Sequence, residues 1–268
     1  MDKEVDLGRI AGPFSSPPFP NLKVSPIGLV PKSDGGWRLI QHLSYLKDHS
    51  INDGIDDKYC SVKYTSFDKV ANMIFTLGRG AQIAKRDIKS AFRLLPIHPD
   101  DFHLLGMKVG KSYYFDRMLP IGCARSCSLF ETFSSFLHWL IEYLTGINSL
   151  DHYLDDFIFG SEKSSGSCMV LIDCVERVYT ELGVPIAHEK SVGPTTVLTF
   201  LGLDIDTVAM TIRVPAGKIQ ELTNLLRQLL CKKKISLLQL QSLVGKLNFF
   251  SRRVVEHFYG VFIRPCMG

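Results

Sequence analysis

The chain has no long hydrophobic run. Nowhere in its 268 residues is there a stretch approaching the ~18 uncharged apolar residues of a membrane helix, which excludes a helical membrane protein. The N-terminus, MDKEVDLGRI, lacks the apolar segment of a secretion signal, so an intracellular location, cytoplasmic or nuclear, is expected. Of seven cysteines (Cys60, Cys123, Cys127, Cys168, Cys174, Cys231, Cys266), no two form a CxxC pair. That excludes a zinc ribbon and a thioredoxin-like motif and leaves free or buried thiols in a reducing compartment. Internal repeats and low-complexity segments are also missing, which argues against a solenoid. Core material is not lacking: 46% hydrophobic and 22% charged residues exclude a disordered chain.

Acidic residues are scarce at one end. Residues 217–268 contain nine Lys or Arg (Lys218, Arg227, Lys232, Lys233, Lys234, Lys246, Arg252, Arg253, Arg264) and two acids, Glu221 and Glu256, for a charge of +7. The other 22 basic and 25 acidic side chains leave −3, so the net +4 conceals an asymmetry. A basic end on a near-neutral body fits either a polyanion partner or a solvated helix face.

Five prolines at 13, 17, 18, 20 and 26 predict that residues 8–26 lack regular structure, within an extended N-terminal arm over 1–26. Next, Ile27–Val30 and Trp37–Ile40 flank the turn-forming Lys32-Ser33-Asp34-Gly35-Gly36 and predict a hairpin. Phe67, Val70, Ile74 and Leu77 recur at helical spacing between Ser66, a cap, and Gly78, a stop. A strand is expected from Ile83 to Ile88, another in SYYFDRML, and a buried helix over 126–145. DHYLDDFIFG reads as a hairpin with acids at its tip. Leu171, Cys174, Val175, Val178 and Leu182 predict a helix closed by Gly183. VLTFLGLDID and MTIRV read as two strands around a turn near Asp206. The basic end is expected to be two helices. The first carries the stripe Ile219, Leu222, Leu225, Leu226, Leu229 and Leu230. The second opens on a Ser236-x-x-Gln239 capping box and carries Leu240, Leu243, Val244 and Leu247. Hairpins mixed with helices indicate an α+β fold.

Adjacent carboxylates inside an apolar strand need an explanation. Neighbouring strand residues face opposite ways, and burying an unpartnered carboxylate costs several kcal/mol. A divalent cation offsets that cost. If the strand ending at Asp87 lies beside the YLDD hairpin, then Asp87, Asp155 and Asp156 can hold hard cations, which prefer oxygen ligands. Two such ions about 4 Å apart support in-line phosphoryl transfer.

In order along the chain, SPIGLVPKSDGGWRLIQHLSY, AKRDIKSAFRLLPIHPDD, LPIGCARSCSLFETF, HYLDDFIFG, LGVPIAHEKS, TFLGLDID and VGKLNFFSRRV resemble the successive motifs of retroelement reverse transcriptases. The wording of GRIAGPF, PNLKVSPIGLVPK and SAFRLLPIHP is most similar to DIRS-like, tyrosine-recombinase retrotransposons. The resemblance implies a right-hand polymerase fold: fingers and palm over 27–216, an antiparallel sheet packed on helices, and a short helical thumb over 217–268, truncated.

It further implies an RNA-directed DNA polymerase core that adds deoxynucleotides to a primer 3′ end by two-metal phosphoryl transfer. Asp87, Asp155 and Asp156 would hold two Mg²⁺, with Mn²⁺ as a substitute, and Lys190 would donate a proton to the leaving pyrophosphate. Lys32 and Arg38 match positions that grip the triphosphate, Phe92 the gate against a 2′-hydroxyl, and Gly122 a close backbone approach to nucleotide and template. Tyr153, Leu201 and Gly202 would contact the primer. Lys232, Lys233, Lys234, Arg252 and Arg253 would contact template–primer phosphates. The implied partners are a primed RNA or DNA template and deoxynucleoside triphosphates, with no membrane. Ribonuclease H and recombinase functions would come from other chains or segments. The sequence departs from the family wording at Cys123, at Arg125 and after Phe250. An inactive, nucleic-acid-binding fragment is therefore the alternative, and a ribonuclease H is one by family label alone.

Overall fold

Strand Gln82–Asp87 is buried from both sides, and the rest of the chain is arranged around it. The computed structural model describes residues 1–32, 35–232 and 234–260, without the side chains from 249 onward. Its elements in chain order are α1 (Asp2–Asp6), β1 (Ile10–Phe14), β2 (Ile27–Pro31), β3 (Trp37–Gln41), α2 (Phe67–Leu77), β4 (Gln82–Asp87), β5 (Gly106–Val109) and β6 (Ser112–Asp116). There follow α3 (Ser126–Thr145), β7 (Leu150–Tyr153), β8 (Asp156–Ser161), α4 (Ser167–Glu181), β9 (Val192–Thr195), β10 (Val197–Phe200), β11 (Leu203–Asp206), β12 (Thr211–Arg213), α5 (Ala216–Leu230) and α6 (Leu237–Gly260). The expected α+β fold of antiparallel sheets packed on helices is present.

The central sheet runs β7-β8-β4-β9, antiparallel throughout. Strand alternation sorts its residues between two faces. Ala84, Phe157 and Phe159 pack against Phe130, Leu137 and Ile141 of α3 and Leu171, Val175 and Tyr179 of α4, all fully buried. On the other face, Ile83 and Ile158 meet Val70 and Ile74 of α2 and Leu198, Phe200, Leu203 and Ile205 of the β10–β11 hairpin. Each such side chain contributes roughly 1.5–3 kcal/mol by leaving water. On this second face the pairing continues past Lys85↔Ile158 to Asp87↔Asp156, so the apolar cover gives way to carboxylates at one end of the sheet.

Several local expectations hold. Lys69 N donates to Ser66 Oγ at 3.3 Å to cap α2, and Gly78 ends that helix with φ +83°. Ser236 N donates to Gln239 Oε1 at 3.1 Å and Gln239 N to Ser236 Oγ at 3.3 Å, completing the capping box before α6. The β2–β3 hairpin forms in register from Ile27↔Gln41 to Pro31↔Trp37; its turn residues Ser33 and Asp34 lie outside the described residues.

Others are corrected. The stretch 8–26 is not devoid of regular structure, since it contains β1, and the arm over 1–26 opens on a helix, α1, rather than extended chain. Ile10, buried beside Met107 and Tyr114, docks β1 as the edge strand of a β1-β6-β5 sheet. A register irregularity between Ala11 and Phe14 accommodates Pro13, as edge strands allow. VLTFLGLDID is a hairpin rather than one strand, because Leu201 (φ +46°) and Gly202 (φ +79°) both take the left-handed conformation of a tight turn. The turn near Asp206 does form: Val208 N and Ala209 N donate to Asp206 Oδ1 at 3.0 and 2.8 Å. In the α5 stripe Leu229 is buried, whereas Ile219 and Leu230 are exposed; on α6, Leu240, Val244 and Leu247 are exposed.

Candidate active site

Two residues, Leu154 and Asp155, join β7 to β8 in a hairpin whose last pair is Tyr153↔Asp156. Asp155 therefore stands in the turn. Asp156 opens β8 and lies directly across from Asp87, the last residue of β4. Two strand ends and one turn thus bring the three predicted acids together.

Their electrostatics are those of crowded anions. Asp87 is only 5% exposed. Burial, then the negative charges of Asp156 and Asp155, push its carboxyl up to about 6 against the opposing pull of Lys190. Asp155 is also raised, first by burial and then by Asp156, with Lys190 and Arg38 opposing. Lys190 ends a short 3-10 turn, His188–Lys190, and its Nζ lies 3.4 and 3.3 Å from the two oxygens of Asp87. Lys85, two residues before Asp87 on the same strand face, places Nζ 3.3 Å from Asp156 Oδ1. That contact lacks hydrogen-bond alignment, and the buried oxygen has no hydrogen-bond partner. A buried carboxylate oxygen without a hydrogen bond, beside two mutually repelling carboxyls, fits a hard divalent cation, which takes oxygen ligands.

The other predicted residues divide into those near the triad and those elsewhere. Arg38, on β3, is close enough for its charge to favour ionised Asp155. Lys32 is exposed at the end of the β2–β3 hairpin, where its N–H donates to Gly36 O at 2.8 Å. Phe92 lies on the 3-10 turn Ala91–Leu94, a few residues past Asp87, and packs edge-on against Phe130 at 5.4 Å. Tyr153 stacks obliquely on Tyr64 at 4.7 Å. Leu201 and Gly202 form the β10–β11 turn, and Lys218 Nζ donates to Gly202 O at 3.3 Å. Lys232 and Lys234 are exposed beyond α5, and no described contact brings them to the triad. Lys233 lies outside the described residues, as do the side chains of Arg252 and Arg253 on α6.

Gly122 has a structural reason of its own. With φ +122°, a Cβ there would collide with the carbonyl of Gln41. Gln41 N donates to Ile121 O at 3.0 Å, and Asn52 Nδ2 donates to Gly122 O at 2.9 Å. The close backbone approach is to the end of β3, locking this loop to the β2–β3 hairpin. Gly122→Ala is expected to cost at least ~1–3 kcal/mol from the disfavoured backbone angle and the overlap. Urea unfolding measures this, and an unshifted midpoint contradicts it.

Sequence reasoning missed Lys85, signalled by its two-residue spacing from Asp87 in a strand, and a polar cluster beneath the hairpin. His138, Asp151 and His152 offer ligand atoms within 4.8 Å of one another. Most of their atoms are already engaged, although buried His152 Nε2 has no hydrogen-bond partner. His138 Nδ1 and His152 Nδ1 lie 2.8 Å apart. Asp151 accepts from Thr65 Oγ1 at 2.8 Å and its own neighbour His152 N at 2.8 Å, and Lys69 Nζ lies 3.1 Å away.

Over 164 residues the chain is 26% identical to Protein P of duck hepatitis B virus (strain Germany/DHBV-3), covering 61% of this chain and 20% of that protein. Over 184 residues it is 25% identical to the genome polyprotein of Petunia vein clearing virus (isolate Shepherd), covering 68% of this chain and 8% of that protein. The chain thus spans a fifth or less of these relatives. The foamy viral protease-reverse transcriptase dRH in complex with double-stranded DNA shares the fold, with TM-score 0.72 at 21% identity over 97% of this chain and 41% of that one. The foamy viral protease-reverse transcriptase in complex with RNA/DNA hybrid gives 0.68 at 20% identity, covering 96% of this chain and 32% of that one. Residues 30–205, which hold all three acids, match the model of the family described as reverse transcriptase (RNA-dependent DNA polymerase). With that match running through most of its length, the chain belongs to the reverse transcriptase family.

Proposed function

We propose that the chain is an RNA-directed DNA polymerase core, with fingers and palm over 27–216 and a basic thumb over 217–268. The observation that carries this reading is the pairing of Asp87 with Asp156 beside Asp155, with one buried carboxylate oxygen lacking a hydrogen-bond partner. The reaction is attack of a primer 3′-hydroxyl on the α-phosphate of a deoxynucleoside triphosphate, releasing pyrophosphate. When bound by the triad, two divalent cations, Mg²⁺ or in substitution Mn²⁺, supply charge neutralisation and a more acidic hydroxyl.

The chain's own groups do the rest. Arg38, reinforced by Lys32, grips the triphosphate, since guanidinium forks match phosphate oxygens. Lys190 holds a proton at Nζ, beside Asp87, for the departing pyrophosphate. Phe92 sets a ring against the sugar and selects deoxynucleotides. The left-handed turn at Leu201–Gly202 and the Tyr153 ring position the primer. Lys232 to Lys234, Arg252 and Arg253 bind template–primer phosphates. The foamy viral relatives' complexes with double-stranded DNA and RNA/DNA hybrid support a primed duplex as partner. The wording GRIAGPF and SAFRLLPIHP supports an origin among DIRS-like retrotransposons.

Elongation of a labelled primer on an RNA template, with dNTPs and Mg²⁺ or Mn²⁺, tests the reading. Duplex binding without elongation under either metal refutes it. Converting Lys232, Lys233 and Lys234 to Ala is expected to flatten the slope of log affinity against log salt by about 2–3, from ~0.7–0.9 per phosphate contact. An unchanged slope shows these lysines to be merely solvated.

A further inference from the structure

Beneath the acid-bearing hairpin, α3 and β7 enclose a line of four ionisable side chains. His138 Nε2 lies 3.3 Å from Glu142 Oε1. His138 Nδ1 and His152 Nδ1 are 2.8 Å apart, close enough to share a hydrogen bond. His152 Nε2 lies 3.3 Å from Glu131 Oε1, a charge contact without hydrogen-bond alignment. The second oxygen of Glu131 accepts a hydrogen bond of 3.2 Å from Leu154 N. The line therefore ends on the backbone of the residue between Tyr153 and Asp155.

Both features of that endpoint matter. Leu154 holds φ +53°, a conformation that a branched, non-glycine residue keeps only when its surroundings enforce it. Its N–H is also a backbone donor inside a two-residue turn, where no ladder partner exists. Glu131 supplies the missing acceptor from a seat that is itself fixed: its side chain is 13% exposed and that of His152 9%. His152 in turn stacks on Phe157 at 5.2 Å, within the core that backs the sheet. Each member braces the next, the arrangement by which supporting shells hold a reactive group in place.

We propose that Glu131 is a positioning residue for the active-site hairpin: by accepting the Leu154 N–H it holds the turn that presents Asp155, and the His152–His138–Glu142 chain holds Glu131. This rests on the polymerase reading of the triad. Glu131 is assigned no contact with the reacting groups and acts through the turn.

Glu131→Met and Glu131→Gln test it as a pair. Both side chains have nearly the length of Glu and fill the same space, but only Gln retains an acceptor oxygen. In Glu131→Met, the Leu154 amide is expected to exchange with solvent at least tenfold faster. In the same variant kcat for single-nucleotide extension falls about 10- to 100-fold, the scale of a sub-ångström to ångström misplacement, while dNTP KM and duplex Kd stay within about twofold. Glu131→Gln is expected to restore amide protection and most of kcat. An unchanged Leu154 amide in Glu131→Met overturns the inference, as does equal loss in both variants. If the unaltered chain fails to extend primers, the polymerase reading falls, and amide exchange in the two variants still decides the anchor.

Discussion

Asp155→Asn is expected to lower primer extension by at least ~10³-fold, at or beyond the upper end of the range for removing one electrostatic contact to a transition state. The substitution keeps size and hydrogen-bonding capacity and removes one negative charge. Its informative feature is what it leaves intact. Burial and the neighbouring Asp156 raise the Asp155 carboxyl, so the folded chain pays for that charge, and the neutral amide relieves the repulsion. The melting temperature without metal should therefore hold or rise. Duplex affinity should stay within about twofold, because the phosphate contacts are assigned to lysines and arginines elsewhere. Extension at the unaltered rate would refute Asp155 as a metal ligand; loss of activity accompanied by unfolding would refute the electrostatic account.

The second large effect is a pH-dependent response to divalent metal. With its carboxyl raised to about 6 from the ordinary 3.8, folded Asp87 retains a proton that the unfolded chain has released. Between those values the folded state binds more protons, so metal-free stability is full below the ordinary carboxylate range and declines as pH rises through about 6. A divalent cation binds the ionised triad and reverses this cost. Stabilisation follows RT ln(1 + [L]/Kd), about 2.7 kcal/mol at a hundredfold excess over Kd. Thermal unfolding with and without Mg²⁺ from pH 5 to pH 8 should show a gain that is small at pH 5 and grows through about pH 6. Asp87→Asn should remove most of that gain and raise metal-free stability at neutral pH. A Mg²⁺ gain of equal size at pH 5 and pH 8 would contradict the assignment.

What could be read from the residues was what local chemistry decides. Ser66 and Gly78 bound α2, the Ser236-x-x-Gln239 box opens α6, and the apolar stretch at 126–145 is α3 over the same span. The triad was legible because a carboxylate pair in an apolar strand demands a partner. Some edge strands were not legible. β1 carries Pro13 and β9 carries Pro194, and only docking beside β6 and β4 reveals them as strands. The left-handed Leu201 concealed a turn inside an apolar run. Glu131, His138 and His152 depend on which helix packs on which strand, and single-sequence periodicity holds no such information. At Gly122 the Gln41 backbone leaves no room for a Cβ, a contact between distant segments that no local pattern shows.

The most direct measurement of the central claim is single-nucleotide extension of a DNA primer on an RNA template, run in parallel with the unaltered chain and Asp155→Asn at matched duplex occupancy. The account predicts that the unaltered chain adds the templated deoxynucleotide only when Mg²⁺ or Mn²⁺ is present, and that Asp155→Asn binds the same duplex and adds none. Equal extension by both chains, or duplex binding with no extension by either under any metal, would contradict it.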